Sequence, residues 1–253
     1  MCSARRSALA LALTLACDAD PSLPPPTGEP PAAIGSLVVL GDVISSRDDA
    51  GQYHRILQAR LEARFGAPIV HVSRAYSSAR ASDIAAQVDL LPDTLPAPVV
   101  VVLTGGCNDM KLALPAIADG EDREERARLA HDIDAALDAL LAPGRFGEGA
   151  EVHVYEANLF DPSDGAGDYS DHGCPYGVGL PALPTDGAFT AWNATLEGAI
   201  RDHGQALVDA HSVFRGHGYA SDVNWYNASC NAPNELGHVA LADAFEAAIV
   251  GVP

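Results

Sequence analysis

The sequence predicts a doubly wound α/β fold, a mainly parallel five-stranded sheet with helices on both faces. Five short β-rich runs are mostly apolar on both faces, as strands covered by helices on both sides must be. Helical patterns lie between them, and strand-helix alternation with right-handed crossovers gives this architecture. The chain has 253 residues and is 48% hydrophobic, enough for one large domain with its own core.

The strand candidates are "SLVVLG" from Ser36, "PIVHVS" from Pro68, "PVVVVLTGG" from Pro98, "EVHVYEANL" from Glu151 and "QALVDAH" from Gln205. Leu129, Ile133, Leu137 and Leu140 recur at helical spacing between the third and fourth runs. Phe189, Trp192, Leu196 and Ile200 do so before the fifth, in a helix that Gly204 closes as a C-cap. Leu241, Phe245 and Ile249 mark a terminal helix. No internal repeat and no second domain are visible.

Residues 1–17 read as a processing segment rather than fold. Arg5 and Arg6 form a charged start, and Ala8 to Ala16 an apolar stretch too short to span a bilayer. Cys17 follows the small Ala16 and resembles a lipoprotein processing position, which would make it the lipidated first residue. The proline-rich stretch 18–35 is an extended linker, and the folded domain spans 36–253. The expected location is outside the cytoplasm, as a bacterial envelope lipoprotein or a secreted protein, with membrane attachment only through that lipid.

Export permits disulfides. Of five cysteines, Cys2 leaves with the signal and Cys17 is the processing site, so Cys107, Cys174 and Cys230 remain. Cys174 and Cys230 both sit in long polar loops late in the chain and are the preferred pair. The formal charge is -19, with Lys111 the one lysine, so no basic face exists to neutralise phosphates. Nucleic acid is excluded as a partner, and a monomer is expected.

In doubly wound sheets, ligands bind beyond the carboxyl ends of the strands, where the winding direction reverses. Three loops at those ends carry patterned residues: "LGDVIS" from Leu40, "TGGCNDM" from Thr104 and "CNAPNELGHVALADAF" from Cys230. In order and spacing they resemble the sequence blocks of the SGNH/GDSL hydrolase family of esterases, lipases and carbohydrate deacetylases. The resemblance runs from about Ser36 to the C-terminus and implies the flavodoxin-like SGNH-hydrolase fold.

That resemblance also implies ester hydrolysis by a Ser-His-Asp triad with an oxyanion hole. Carried over residue by residue, the nucleophile falls on Val43, the acid on Ser229 and the base on Ala232, while the second-block glycine falls on Ser78. Asp42, Gly106, Asn108, Asp109, Pro233, Asn234, Gly237 and His238 match the blocks. The matching residues shape turns and start a helix; the three that would move protons or attack carbonyl carbon are absent. An inactive member with a binding or structural role is the leading expectation, its ligand a small acyl ester or carbohydrate. The alternative is a rewired carboxyl-ester hydrolase using Ser45, Ser78 or Cys107 with His238.

No resident cofactor is expected apart from a weak candidate for Ca²⁺. Asp161, Asp164, Asp168 and Asp171 cluster around glycines in "DPSDGAGDYSDHGC", although their spacing is not that of an EF-hand. Trp225 and Tyr226 could line the crevice.

Overall fold

The computed structural model describes residues 30–175, 179 and 182–251, so the processing segment, Cys17 and most of the linker lie outside the described residues. Within it, the five apolar runs form strands β1 (Ser36–Gly41), β2 (Val70–Ser73), β3 (Val99–Thr104), β4 (Val152–Ala157) and β5 (Ala206–Val208). All neighbours are parallel, in the order β2-β1-β3-β4-β5. Every residue of β1 and β3 is buried, which is why these strands are continuous in Leu and Val rather than alternating.

Helices α1 (Tyr53–Phe65), α2 (Ala81–Asp89), α3 (Cys107–Leu112), α4 (Leu114–Asp119), α5 (Arg123–Leu141), α6 (Thr185–Asp202), α7 (Ala210–Phe214) and α8 (Glu235–Val250) complete the fold. On one face of the sheet α1 packs against α8, burying Leu57, Leu61, Leu241 and Phe245 over Leu37, Val39, Val100 and Val102. On the other, α5 lies between α2 and α6, with Ile84, Ile133, Leu137, Trp192 and Leu196 over Val38, Leu40, Val101 and Leu103. Alternate residues of each strand thus feed opposite cores, as a pleat requires. The α5, α6 and α8 stripes match the sequence periodicity. Among the described residues, no helix is long and apolar enough to cross a membrane.

The winding reverses between β1 and β3, and the carboxyl ends of these two strands come very close. Gly41 has φ of 122°, and a Cβ built there would lie 2.0 Å from the Thr104 carbonyl oxygen. Glycine is therefore required on both conformational and steric grounds. The Gln87 side chain of α2 closes the same turn, accepting from Gly41 N–H at 2.8 Å and donating to Gly41 O at 2.9 Å.

Gly41→Ala is expected to lower unfolding free energy by at least about 2 kcal/mol, through φ strain and displacement of the Thr104 carbonyl. Urea denaturation followed by circular dichroism would read this as a lower midpoint at unchanged slope.

Candidate active-site crevice

The turn after β1 is organised by a carboxyl group. Asp42 is 1% exposed, and its Oδ1 accepts from Ile44 N–H at 3.1 Å and from Thr104 Oγ1 at 3.2 Å. Its Oδ2 is buried with no hydrogen-bond partner. Burial raises its pKa to about 7, offset in part by the bonds from Ile44 and Thr104. Ser45 is fully buried, its hydroxyl 2.7 Å from both Tyr53 OH and Thr104 Oγ1. A relay of hydroxyls thus runs from the start of α1 to the Asp42 carboxyl.

The turn after β3 is built by the other matching residues. Gly106 takes the left-handed conformation, φ 95°, to start α3. Asn108 spends its amide on backbone, donating to Ser77 O at 3.0 Å and Ala79 O at 2.8 Å, on either side of Ser78. Asp109 accepts from Ala81 N–H at 2.8 Å and from Arg80 Nε at 3.2 Å, which fastens α3 to the N-terminus of α2. In the last block, Asn234 caps α8 by accepting from Leu236 and Gly237 N–H, while its amide donates to Asn224 O at 2.7 Å.

The family triad positions lie on this frame. Val43 is half-buried and packs against the core under α1 and α8. Ser229 is exposed in a turn whose backbone is held by Asn227 Oδ1, and Ala232 is buried. Of the substitute nucleophiles, Ser45 is committed to its two hydroxyl partners, and Ser78 lies exposed in the turn that Asn108 clamps.

Cys107 is half-buried, and burial with the Asp42 charge pushes its thiol pKa up, far from thiolate formation at neutral pH. His238 sits between α8 and α1, its ring stacked 6.4 Å from Tyr53, its Nδ1 buried without a partner. Burial, then the nearby His54, pulls its pKa down to about 4. Among the described residues, no histidine ring nitrogen is hydrogen-bonded to a serine hydroxyl or a cysteine thiol.

Beside the blocks lies a part-open apolar cavity of about 70 Å³ whose walls include Ile44, Cys107, Leu114, Phe160, Tyr226 and Cys230. Cys174 and Cys230 form a disulfide across 56 residues, joining the loop after β4 to the last block at this wall. Tyr226 helps line the cavity; Trp225 instead stacks on His217 at 3.5 Å.

Asp161 and Asp164 share a small pocket with Asp186 and Arg215, but the four aspartates of the 161–171 loop do not form one ligand group. Asp161 alone accepts four donors, from Ser163 N–H and Oγ, Tyr169 OH and Gly165 N–H. Asp164 accepts from Gly216 and Gly218 N–H, Asp168 from Tyr219 OH, and Asp171 is exposed. These carboxylates fold the loop with protein donors in the role a cation would otherwise fill.

Several organising residues carry no motif. Gln87, Thr104 and Tyr53 are visible only through their partners. Glu156, fully buried on β4, has both carboxyl oxygens without a hydrogen-bonded side chain, and burial, then Asp42, holds its pKa well above the usual range. Thr104 ends β3 and opens the "TGGCNDM" block, the one sequence hint to its role.

A parallel sheet of this order is the flavodoxin-like doubly wound α/β scaffold, with the patterned loops at its switch point, and the comparisons with known proteins place it in a family. Residues 39–240 match the family model described as the GDSL-like lipase/acylhydrolase family. The chain belongs to that family. Among solved structures it is similar to a phospholipase A1 from Streptomyces albidoflavus NA297, with TM-score 0.63 and 20% identity over 85% of this chain and 99% of that one. An acetyl xylan esterase from Geobacillus stearothermophilus gives TM-score 0.57 and 16% identity over 85% and 96%. TesA gives 0.58 and 18% over 86% and 99%. Comparison with curated protein sequences finds no relative.

The buried carboxyl of Asp42 sets a sign for pH dependence. Its folded pKa of about 7 lies above that of the unfolded chain, so the folded state holds the proton longer and stability falls as pH rises from about 4 to about 7. Asp42→Asn removes this contribution. Its melting temperature relative to the unsubstituted protein is expected to be more favourable at pH 8 than at pH 5, by the equivalent of about 2–3 kcal/mol. Parallel thermal melts at the two pH values measure the difference.

Proposed function

We propose that this protein keeps the scaffold and crevice of its family without the serine chemistry, and binds a small acyl-bearing or carbohydrate ligand there. The observation that carries this reading is the coincidence of Val43, Ser229 and Ala232 at the nucleophile, acid and base positions in a crevice where, among the described residues, no histidine holds a serine hydroxyl or a thiol. Loss of one triad member costs a serine hydrolase on the order of 10⁴- to 10⁶-fold in turnover, and here all three differ. The rewired hydrolase is disfavoured because Ser45 is sequestered, Cys107 is held as a thiol, and His238 faces Tyr53 rather than a nucleophile.

The apolar cavity beside Ile44 supports an acyl ligand, as do the phospholipase and acetyl xylan esterase activities of the structural neighbours. Export fits the Cys174–Cys230 disulfide, since such bonds persist in oxidising compartments. Under this reading Cys17 carries a lipid that tethers the domain through the proline-rich linker, or the signal is simply cleaved and the protein secreted.

Hydrolysis of p-nitrophenyl acetate and butyrate by the mature domain is expected not to exceed the buffer rate. The triple variant Val43→Ser, Ser229→Asp, Ala232→His is expected to show measurable turnover. Turnover by the unsubstituted protein that His238→Ala abolishes would overturn the reading.

A further inference from the structure

Outside the crevice, α1 and the edge strand β2 bring two imidazoles and a carboxylate together. We propose that His54, His71 and Asp48 form a binding site for a first-row transition-metal ion of the Zn²⁺ class. His54 Nδ1 and His71 Nε2 are 3.0 Å apart, Asp48 Oδ1 lies 4.0 Å from His54 Nδ1, and one ligand atom from each residue lies within 4.8 Å of the others. Two nitrogens each about 2.0–2.1 Å from one ion stand about 2.9–3.4 Å apart, between a right-angled and a tetrahedral arrangement. The observed separation lies in that interval.

The surroundings select the ligand form of His54. Its Nε2 is 2.8 Å from the Arg47 carbonyl oxygen, an acceptor only, so Nε2 carries the proton and the Nδ1 lone pair faces His71. A backbone carbonyl holding the distal N–H of a histidine is the usual support of a metal-bound imidazole. His71 Nε2 donates its proton to the His54 Nδ1 lone pair, so it would coordinate as the other neutral tautomer, with the proton on its Nδ1.

His54 is fully buried, His71 half-buried and Asp48 about half exposed, so the ion would enter from the Asp48 side. Arg55 grips Asp48 at both oxygens, Nε donating to Oδ1 at 2.5 Å and Nη2 to Oδ2 at 2.7 Å, so the guanidinium would orient the carboxylate while Oδ1 offers its remaining lone pair to the metal. Imidazole donors favour Zn²⁺, Ni²⁺ or Cu²⁺ over Ca²⁺ and Mg²⁺. Three protein donors leave a fourth position open to solvent. Bound metal would brace β2 against α1 and fix the 47–49 loop that follows the crevice turn. This site is independent of whether the crevice is active.

The test is calorimetric titration of Zn²⁺ into the untagged, chelator-stripped protein in 1 mM Mg²⁺, which occupies the acidic surface. Thermal melts accompany it, with and without Zn²⁺. The expected result is one Zn²⁺ per chain and a raised melting temperature, with affinity weakened at least about 10-fold by His71→Ala and by Asp48→Asn. Both altered residues are solvent-accessible, and circular dichroism confirms folding of each variant. No saturable binding, or binding that neither substitution weakens, would overturn the proposal and leave a plain His54–His71 hydrogen bond.

Discussion

The crevice depends on the contact between the ends of β1 and β3, where the absence of a side chain on Gly41 lets its backbone lie against the Thr104 carbonyl. That approach places Asp42 under α3, where its carboxyl gathers Ile44 N–H and the Thr104 hydroxyl in a site sealed from water. Burying a carboxyl is costly, and the group responds by holding its proton toward neutral pH. Gln87 fixes the same turn from α2, and Asp109 ties α3 back to that helix, so both cores and the switch point share one set of polar bonds.

Under the proposed reading, the same constraint is what keeps the neighbouring side chains from supplying a nucleophile. Ser45 links the Tyr53 and Thr104 hydroxyls, and releasing it would leave the buried Tyr53 hydroxyl without this partner, at a cost of about 1–3 kcal/mol, while Thr104 keeps its bond to Asp42. Asn108 is similarly committed, since its amide holds the Ser78 turn through backbone carbonyls. The matching residues thus have a structural reason to be present that does not depend on catalysis. A scaffold of this kind can persist as a pocket after its reactive groups have changed.

Elements with long-range periodicity were legible in the sequence. The buried strands announced themselves as Val and Leu runs, and α5, α6 and α8 as apolar stripes, because each packs one face on the sheet. The first two helices were not identified. In α1, polar His54 is buried beside Tyr53 and Leu57, which blurs the stripe, and α2 is only nine residues long. The crevice loops were legible through their blocks, but the commitments of Ser45, Asn108 and His238 depend on partners tens of residues away. His54 and His71 illustrate the limit: 17 residues separate them, on a helix and a strand, and only the parallel pairing of β1 and β2 brings them face to face. The acidic 161–171 loop shows the converse, since residues adjacent in sequence turn to different donors in space.

The central claim is that no side chain in this crevice acts as an activated nucleophile. Intact-mass analysis after incubation with a fluorophosphonate and, separately, an activated acyl ester tests it most directly, because covalent capture reports a nucleophile even where turnover is slow. The account predicts an unchanged mass for the folded protein. A stoichiometric adduct mapped to Ser45, Ser78 or Cys107 would contradict it.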